Sequence, residues 1–194
     1  MEVRWDVMEG TRVSADEVKA RWAYSEIWAD RWKAEYADYE PEKVRQGLAF
    51  ENLSPDEKAH LLFMLMNWRG YVAPEVDKFQ IYECQSWTKD QLARTYTIMQ
   101  MAPDQNSNIP FLSFCICPRF NNKDDPRVQA DAIPLETEFV QTEPVIVLPY
   151  DEMNLLIDGY LRSVLFMRSP NPEARILVWY PIVPPATASR IEMP

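Results

Sequence analysis

The sequence predicts an α+β protein: a small mixed β-sheet with helices, preceded by a helical N-terminal extension. Helix-start signals, a serine followed three residues later by a glutamate, mark the first 75 residues. Apolar runs of strand length alternate with helix and turn signals in the remainder. We therefore expect residues 1–75 to form the extension and residues 76–194 to form the α+β domain. No Ser- or Gly-rich linker separates them, so we expect one packed body.

Composition favours a folded cytoplasmic protein. The chain has 194 residues, of which 47% are hydrophobic, and this content is sufficient for a packed core. No apolar run approaches the length of a membrane span, and the N-terminus lacks the character of a signal peptide. Three cysteines do not make a disulfide framework. We expect a reducing compartment and no membrane partner.

The charge of the chain argues against nucleic acid as a partner. Thirty acidic and 20 basic residues give a formal charge of −10. This is the wrong sign for a protein that gains affinity by neutralising phosphates, and no Lys/Arg cluster offsets it. A basic partner is compatible with the charge, and so is solubility alone.

The first helix is predicted to begin after Ser14, which forms a capping-box pattern with Glu17, and to run to about residue 38. Its apolar face is broad and carries Trp22, Trp28 and Trp32. Packing on the rest of the chain is one interpretation of this face. A surface for a protein partner or for self-association is the other, because tryptophan is favoured in interface hot spots.

Two further helices are predicted in the extension. The first covers residues 41–48 and begins with a proline at its first position. The second begins after Ser54, with Glu57 completing the capping box, and ends against Gly70. The lone histidine, His60, lies in this helix, where we interpret it as an ordinary helix residue rather than a catalytic base.

The remainder alternates between strands and helices. A helix is predicted to begin after Thr88 and to continue through Tyr96 and Met99, and a short helix is expected over residues 126–132. Cys115 and Cys117 are interpreted as core strand residues, because one histidine and one further cysteine do not complete a usual zinc site. Strands are predicted over residues 79–84, 111–116, 144–148, 154–157 and 175–180.

The most informative segment is residues 156–163, which read Leu-Ile-Asp-Gly-Tyr-Leu-Arg-Ser. They predict a buried strand, a glycine turn and the first turn of a helix. The unpaired N–H groups and the dipole at such a junction favour an anion, and Arg162 could fork onto phosphate oxygens. Gly159 would let a ligand or another part of the chain approach closely. The alternative is a plain strand-to-helix turn with Arg162 solvated or salt-bridged.

This segment resembles the central Gly-x-x-Arg motif of the ParB/sulfiredoxin-like superfamily, which includes partition CTPases, sulfiredoxins, free-serine kinases and ParB-like nucleases. Residues 143–147 and 125–129 resemble the family's Pro-Ile-x-Val strand and the entry to its first helix, and the resemblance covers residues 111–181. It implies that a nucleotide or another small phosphorylated ligand binds at the motif, with magnesium accompanying a nucleotide. The binding residues would be Asp158, Gly159, Tyr160, Leu161, Arg162 and Ser163.

Departures from the family narrow these expectations. Tyr160 stands where sulfiredoxins carry a cysteine, so we do not expect their redox chemistry. Tyr160 and Leu161 also replace the histidine or polar residues of serine kinases and many ParB-like proteins. Ser163 replaces the second arginine of partition CTPases, and partition activity is not expected. Nuclease activity would require a metal cluster and nucleic-acid affinity, and the sequence supports neither.

Two hypotheses follow. The first is a ligand-binding protein, with phosphoryl-transfer or hydrolase activity left open. Such activity needs a carboxylate near the phosphates, for which Glu143 and Asp125 are the candidates; no metal ligands are predicted. The second is a catalytically inactive, acidic and aromatic-rich interaction module. It predicts a filled motif pocket and an exposed apolar patch that includes Trp22, Trp28 or Trp32.

Overall fold

The computed structural model describes residues 7–27, 49–97, 143–150 and 153–182. The predicted helices over residues 41–48 and 126–132 and the predicted strand over residues 111–116 lie outside these ranges, as do Cys115 and Cys117. Within the described ranges, no helix combines the length and apolarity needed to cross a membrane.

A mixed sheet of six described strands forms the centre of the fold, in the order β1-β2-β6-β4-β5-β3. The pairs β1–β2, β2–β6 and β4–β5 are antiparallel, whereas β4–β6 and β3–β5 are parallel. The predicted α+β class is therefore confirmed. The strands are β1 (Arg12–Ser14), β2 (Ile81–Trp87), β3 (Thr95–Thr97), β4 (Val145–Tyr150), β5 (Met153–Asp158) and β6 (Ile176–Pro181).

Helices cover both faces of this sheet. A 3-10 turn, Phe50–Asn52, shares one face with α1 (Ala15–Glu26), α2 (Pro55–Arg69) and α3 (Ala73–Val76). The other face carries α4 (Lys89–Leu92) and α5 (Tyr160–Arg168). Alternate strand residues serve the two cores, as expected for a pleated strand: Leu155 and Ile157 pack beneath the N-terminal helices and Leu156 packs beneath α5.

The N-terminal extension is integrated with the sheet. Its residues 12–14 form an edge strand paired with β2. Its helices also share one apolar core with the sheet, in which Val18 and Leu61 are fully buried together with Tyr82. Burial of this shared apolar surface is what holds the described helices against the strands.

Local capping signals place the helix starts correctly. Ser14 Oγ accepts a hydrogen bond from Glu17 N at 3.2 Å. At Ser54 the box is reciprocal: Ser54 Oγ accepts from Glu57 N at 3.3 Å, and Glu57 Oε2 accepts from Ser54 N at 2.6 Å. Helix α2 then ends at Arg69, with Gly70 as its C-terminal cap.

The helix predicted to run from Thr88 through Tyr96 is wrong in length. Its capping box forms with Gln91, but α4 ends at Leu92 after four residues. The chain then enters β3, where Thr95 is fully buried and Tyr96 pairs with Leu155. A run of β-branched and aromatic residues favours a strand, and pairing with β5 satisfies its backbone; Met99 lies outside the described ranges.

Candidate functional site

The candidate site is the junction between β5 and α5. Strand β5 ends at Asp158, and α5 begins at Tyr160. Gly159 lies between them in the left-handed region, with φ of +93°. The strand, glycine turn and helix start predicted from the sequence are therefore confirmed, and the first N–H groups of α5 point out of the start of the helix.

The chain itself, rather than open space, lies against Gly159. A Cβ added to this glycine would stand 2.8 Å from Val145 Cβ and closer still to Val145 Cγ1. Val145 begins β4 and is fully buried. The sequence predicted that either a ligand or another part of the chain would come close to Gly159. In the structure it is the chain, because β4 packs closely on the turn.

Arg162 ties this turn to the start of β4. Its Nη1 donates to the backbone oxygens of Glu143 at 2.7 Å and Pro144 at 3.4 Å. Its Nη2 donates to Asp158 Oδ2 at 2.6 Å. These are its only acceptors among the described residues, so the Nε–H and one Nη2 hydrogen have no acceptor there; the side chain is 21% exposed.

Asp158 holds Arg162 and the turn together. Burial raises the pKa of its carboxyl, and the opposing positive charge of Arg162 limits the rise. The carboxylate also accepts a hydrogen bond from Gly159 N–H. Asp158 therefore acts as an intrachain partner for the arginine and for the start of the helix. The described part of the chain contains no cluster of three or more Asp, Glu, His or Cys side chains that could hold a metal ion.

Glu143 lies beside the same arginine and is 4% exposed. Its Oε1 accepts a hydrogen bond from Trp179 Nε1 at 3.5 Å. Burial raises its pKa to about 8, against the opposing charges of Arg162 and Arg21. At neutral pH it is chiefly a neutral carboxylic acid. Asp125, the other carboxylate proposed from the sequence, lies outside the described residues.

The remaining predicted binding residues belong to the first turns of α5. Ser163 is fully buried; its backbone N–H closes the helix onto Gly159 O at 2.9 Å, and among the described residues its Oγ has no hydrogen-bond partner. Tyr160 is half-buried and packs against the core beneath α5. Leu161 occupies the same helical turn, and only its backbone is described. Ser163 thus lies inside the protein rather than at the mouth of the turn.

A buried ion pair on the helical side was not predicted from the sequence. Glu26 Oε1 accepts from Arg69 Nη2 at 2.6 Å and from Trp22 Nε1 at 3.3 Å. Both charges act on the carboxyl group of Asp158 at the turn: Glu26 raises its pKa and Arg69 lowers it. The i, i+4 spacing of Trp22 and Glu26 was a readable signal. The approach of Arg69 was not, since it depends on how α1 and α2 pack.

The burial of Trp22 corrects one predicted surface. This tryptophan is 2% exposed and belongs to the core beneath the N-terminal helices. It is therefore not part of a surface for a protein partner or for self-association. Trp28 and Trp32, the other members of that predicted surface, lie outside the described residues.

No protein-family model, curated protein or solved structure matches this chain. The resemblance to the ParB/sulfiredoxin-like superfamily therefore stays a prediction from residues 156–163 and their flanks.

Proposed function

We propose that the junction of β5 and α5 binds a small phosphorylated ligand, with a nucleotide as the form that the sequence resemblance favours. One observation carries the proposal. Arg162 is fixed at the N-terminus of a helix by Asp158 on one side and by the Glu143 carbonyl on the other, and two of its hydrogens have no acceptor among the described residues. Those hydrogens and the first amides of α5 are the donors that a phosphate needs.

The electrostatics of the turn support an anion at this place. Gly159 has no side chain with which to cap the helix, and no acidic residue occupies the first turn of α5. An anion beside such a helix start gains about 0.3–1 kcal/mol from the dipole at an exposed position, and more where the site is partly buried. Bonds to the guanidinium add about 1.5–3 kcal/mol each.

The preorganised position of Arg162 favours ligand binding, whereas the negative charge of Asp158 opposes ligand binding. An arginine that is ordered only on binding loses up to about 2 kcal/mol of side-chain entropy, whereas Arg162 is already held in the free protein. Asp158 neutralises part of its charge, however, so the ligand must share the guanidinium with a carboxylate. Magnesium bound to the phosphates of a nucleotide would reduce the repulsion between the two anions.

The proposal is for binding rather than turnover. In phosphoryl transfer, Glu143 would have to accept a proton from the attacking group. A carboxyl with a pKa of about 8 is mostly protonated at neutral pH, and its proton-accepting form is then the minor one. Phosphoryl-transfer or hydrolase activity is therefore an additional hypothesis, to be tested only once binding is established.

Calorimetric titration of the full chain with CTP, ATP, ADP and pyrophosphate, with and without magnesium, tests the proposal. We expect saturable binding that weakens by at least about tenfold in Arg162→Ala, the loss of one charge-assisted bond. Arg175→Ala is the matched control, because Arg175 is an exposed arginine whose described contacts lie within two residues of it. Thermal unfolding of each variant checks that it is folded.

No binding of any of the four ligands to the folded protein would refute the proposal. Equal losses in Arg162→Ala and Arg175→Ala would refute the assignment of the site, because the effect would then follow net charge alone.

A catalytically inactive interaction module remains the second candidate, and a different surface from the predicted one now favours it. Phe63 and Met66, three residues apart on α2, are 58% and 42% exposed, and Tyr71, just beyond the end of this helix, is 71% exposed. Apolar side chains exposed together mark contact surfaces more often than isolated ones do. Sedimentation velocity on the wild type and Phe63→Ser tests self-association: a dimer lost in the variant supports the module, and a monomer in both contradicts self-association through this surface.

A further inference from the structure

Glu143 contacts Arg162, which is also the arginine of the proposed ligand site. The residue immediately precedes Pro144 and β4, and its backbone oxygen accepts the shorter of the two Nη1 bonds of Arg162, at 2.7 Å. Its carboxyl group is also close enough to Arg162 for that charge to be the largest electrostatic influence on it. A change in the charge of Glu143 is therefore felt at the guanidinium that would bind the phosphate.

The surroundings of Glu143 come from several elements. Arg162 of α5 and Arg21 of α1 present positive charge, and Asp158 of β5 presents negative charge. From the two neighbouring strands, Trp179 of β6 donates its indole N–H, and the thiol of Cys84 of β2 lies within electrostatic range. Of these groups, Arg162 and Asp158 belong to the proposed ligand site, and Arg162 is the one that would bind the phosphate.

We propose that Glu143 makes ligand binding at the turn dependent on pH: its neutral form leaves Arg162 to the anionic ligand, and its ionised form competes with the ligand for that charge. This inference rests on the proposed function and adds its regulation. Ionisation of Glu143 adds one negative charge beside an arginine that already pairs with Asp158, and this charge opposes the approach of an anionic ligand.

The buried position of Glu143 places this transition just above neutral pH. Burial raises its pKa to about 8, and Arg162 and Arg21 prevent a larger rise. If only the neutral form permits binding, affinity is nearly full near pH 7 and falls by about tenfold one pH unit above that pKa. Linkage is reciprocal, so binding near pH 8 must draw a proton onto Glu143.

The test is calorimetric titration of the full chain with ATP near pH 7 and near pH 9, where the terminal phosphate, with a pKa near 6, changes little. A further titration near pH 8, in two buffers of different ionisation enthalpy, measures proton uptake. We expect affinity about tenfold lower near pH 9, and net uptake of protons near pH 8. Glu143→Gln should bind equally well at both pH values and take up fewer protons.

Glu173→Gln is the matched control, because Glu173 has an 84% exposed side chain; it should retain the wild-type pH dependence. Equal wild-type affinity at both pH values would overturn the inference and leave the proposed function standing. No binding near pH 7 would overturn both. If Glu143→Gln does not fold, the wild-type buffer comparison decides, and absence of proton uptake near pH 8 overturns the inference.

Discussion

Replacement of Gly159 by alanine tests the closed packing of the turn. Two costs add at this position. Alanine adopts a φ of +93° only at an energetic cost of about 1–2 kcal/mol. In addition, the new methyl group would collide with the buried side chain of Val145. Overpacking of this kind costs about 1–3 kcal/mol, so Gly159→Ala should lower the free energy of unfolding by about 2–5 kcal/mol.

Gly10 provides a matched control. It also has a positive φ, of +85°, but an added Cβ meets no atom within 4 Å. Gly10→Ala should therefore show the backbone cost alone, about 1–2 kcal/mol. The difference between the two variants isolates the contact with Val145.

Equilibrium unfolding in urea, followed by tryptophan fluorescence, measures both free energies under the same conditions. In a Val145→Ala background the cost of Gly159→Ala should shrink by part of the overpacking cost of about 1–3 kcal/mol, because Cγ1 is removed whereas the Cβ of residue 145 stays 2.8 Å from the new methyl group. If Gly159→Ala is no more destabilising than Gly10→Ala, the turn is not closed by Val145 and this account of the junction is wrong.

Three further predictions concern stability. Ser54→Ala removes the reciprocal capping box and should cost about 1 kcal/mol in urea unfolding; an unchanged midpoint would contradict the role of the cap. Arg162→Lys should cost about 1–3 kcal/mol, because a single ammonium cannot reach both Asp158 and the Glu143 carbonyl; unfolding unchanged from wild type would refute the clamp. The pKa of Glu143 is raised from 4.5 to about 8 by folding, so its contribution to stability is present below about pH 4.5 and is lost as pH rises to 8, by up to about 5 kcal/mol. Glu143→Gln should flatten this decline between pH 5 and 9, and an equally steep decline in the variant would contradict the buried acid.

The parts of the fold that could be read from the sequence are local. The full capping box at Ser54 and the serine half of the box at Ser14 form as predicted, because a serine and the residue three positions later contact one another without help from the rest of the chain. The junction at Gly159 was readable for the same reason. A short apolar run, an Asp-Gly break and a helical pattern are all encoded within a few neighbouring residues.

The parts that could not be read depend on distant residues. The helix predicted through Tyr96 fails because pairing of β3 with β5 joins segments almost sixty positions apart, and this pairing overrides a local helix signal. The partners of Arg162 include the Glu143 carbonyl, 19 positions earlier, which pairing of β4 with β5 brings to the turn. The burial of Trp22 was one of two interpretations of an aromatic face, and only its packing could decide between them.

The central claim is that a phosphorylated ligand binds at Arg162 and the start of α5. The most direct test is a titration of the ¹⁵N-labelled protein with ATP, in which amide and arginine Nε–H resonances are followed by NMR. We expect saturable shifts that are largest for the amides of Tyr160, Leu161 and Arg162, at the start of α5, and for the Arg162 Nε–H. A folded protein whose resonances at these positions do not move, or whose largest shifts lie elsewhere, would contradict the claim.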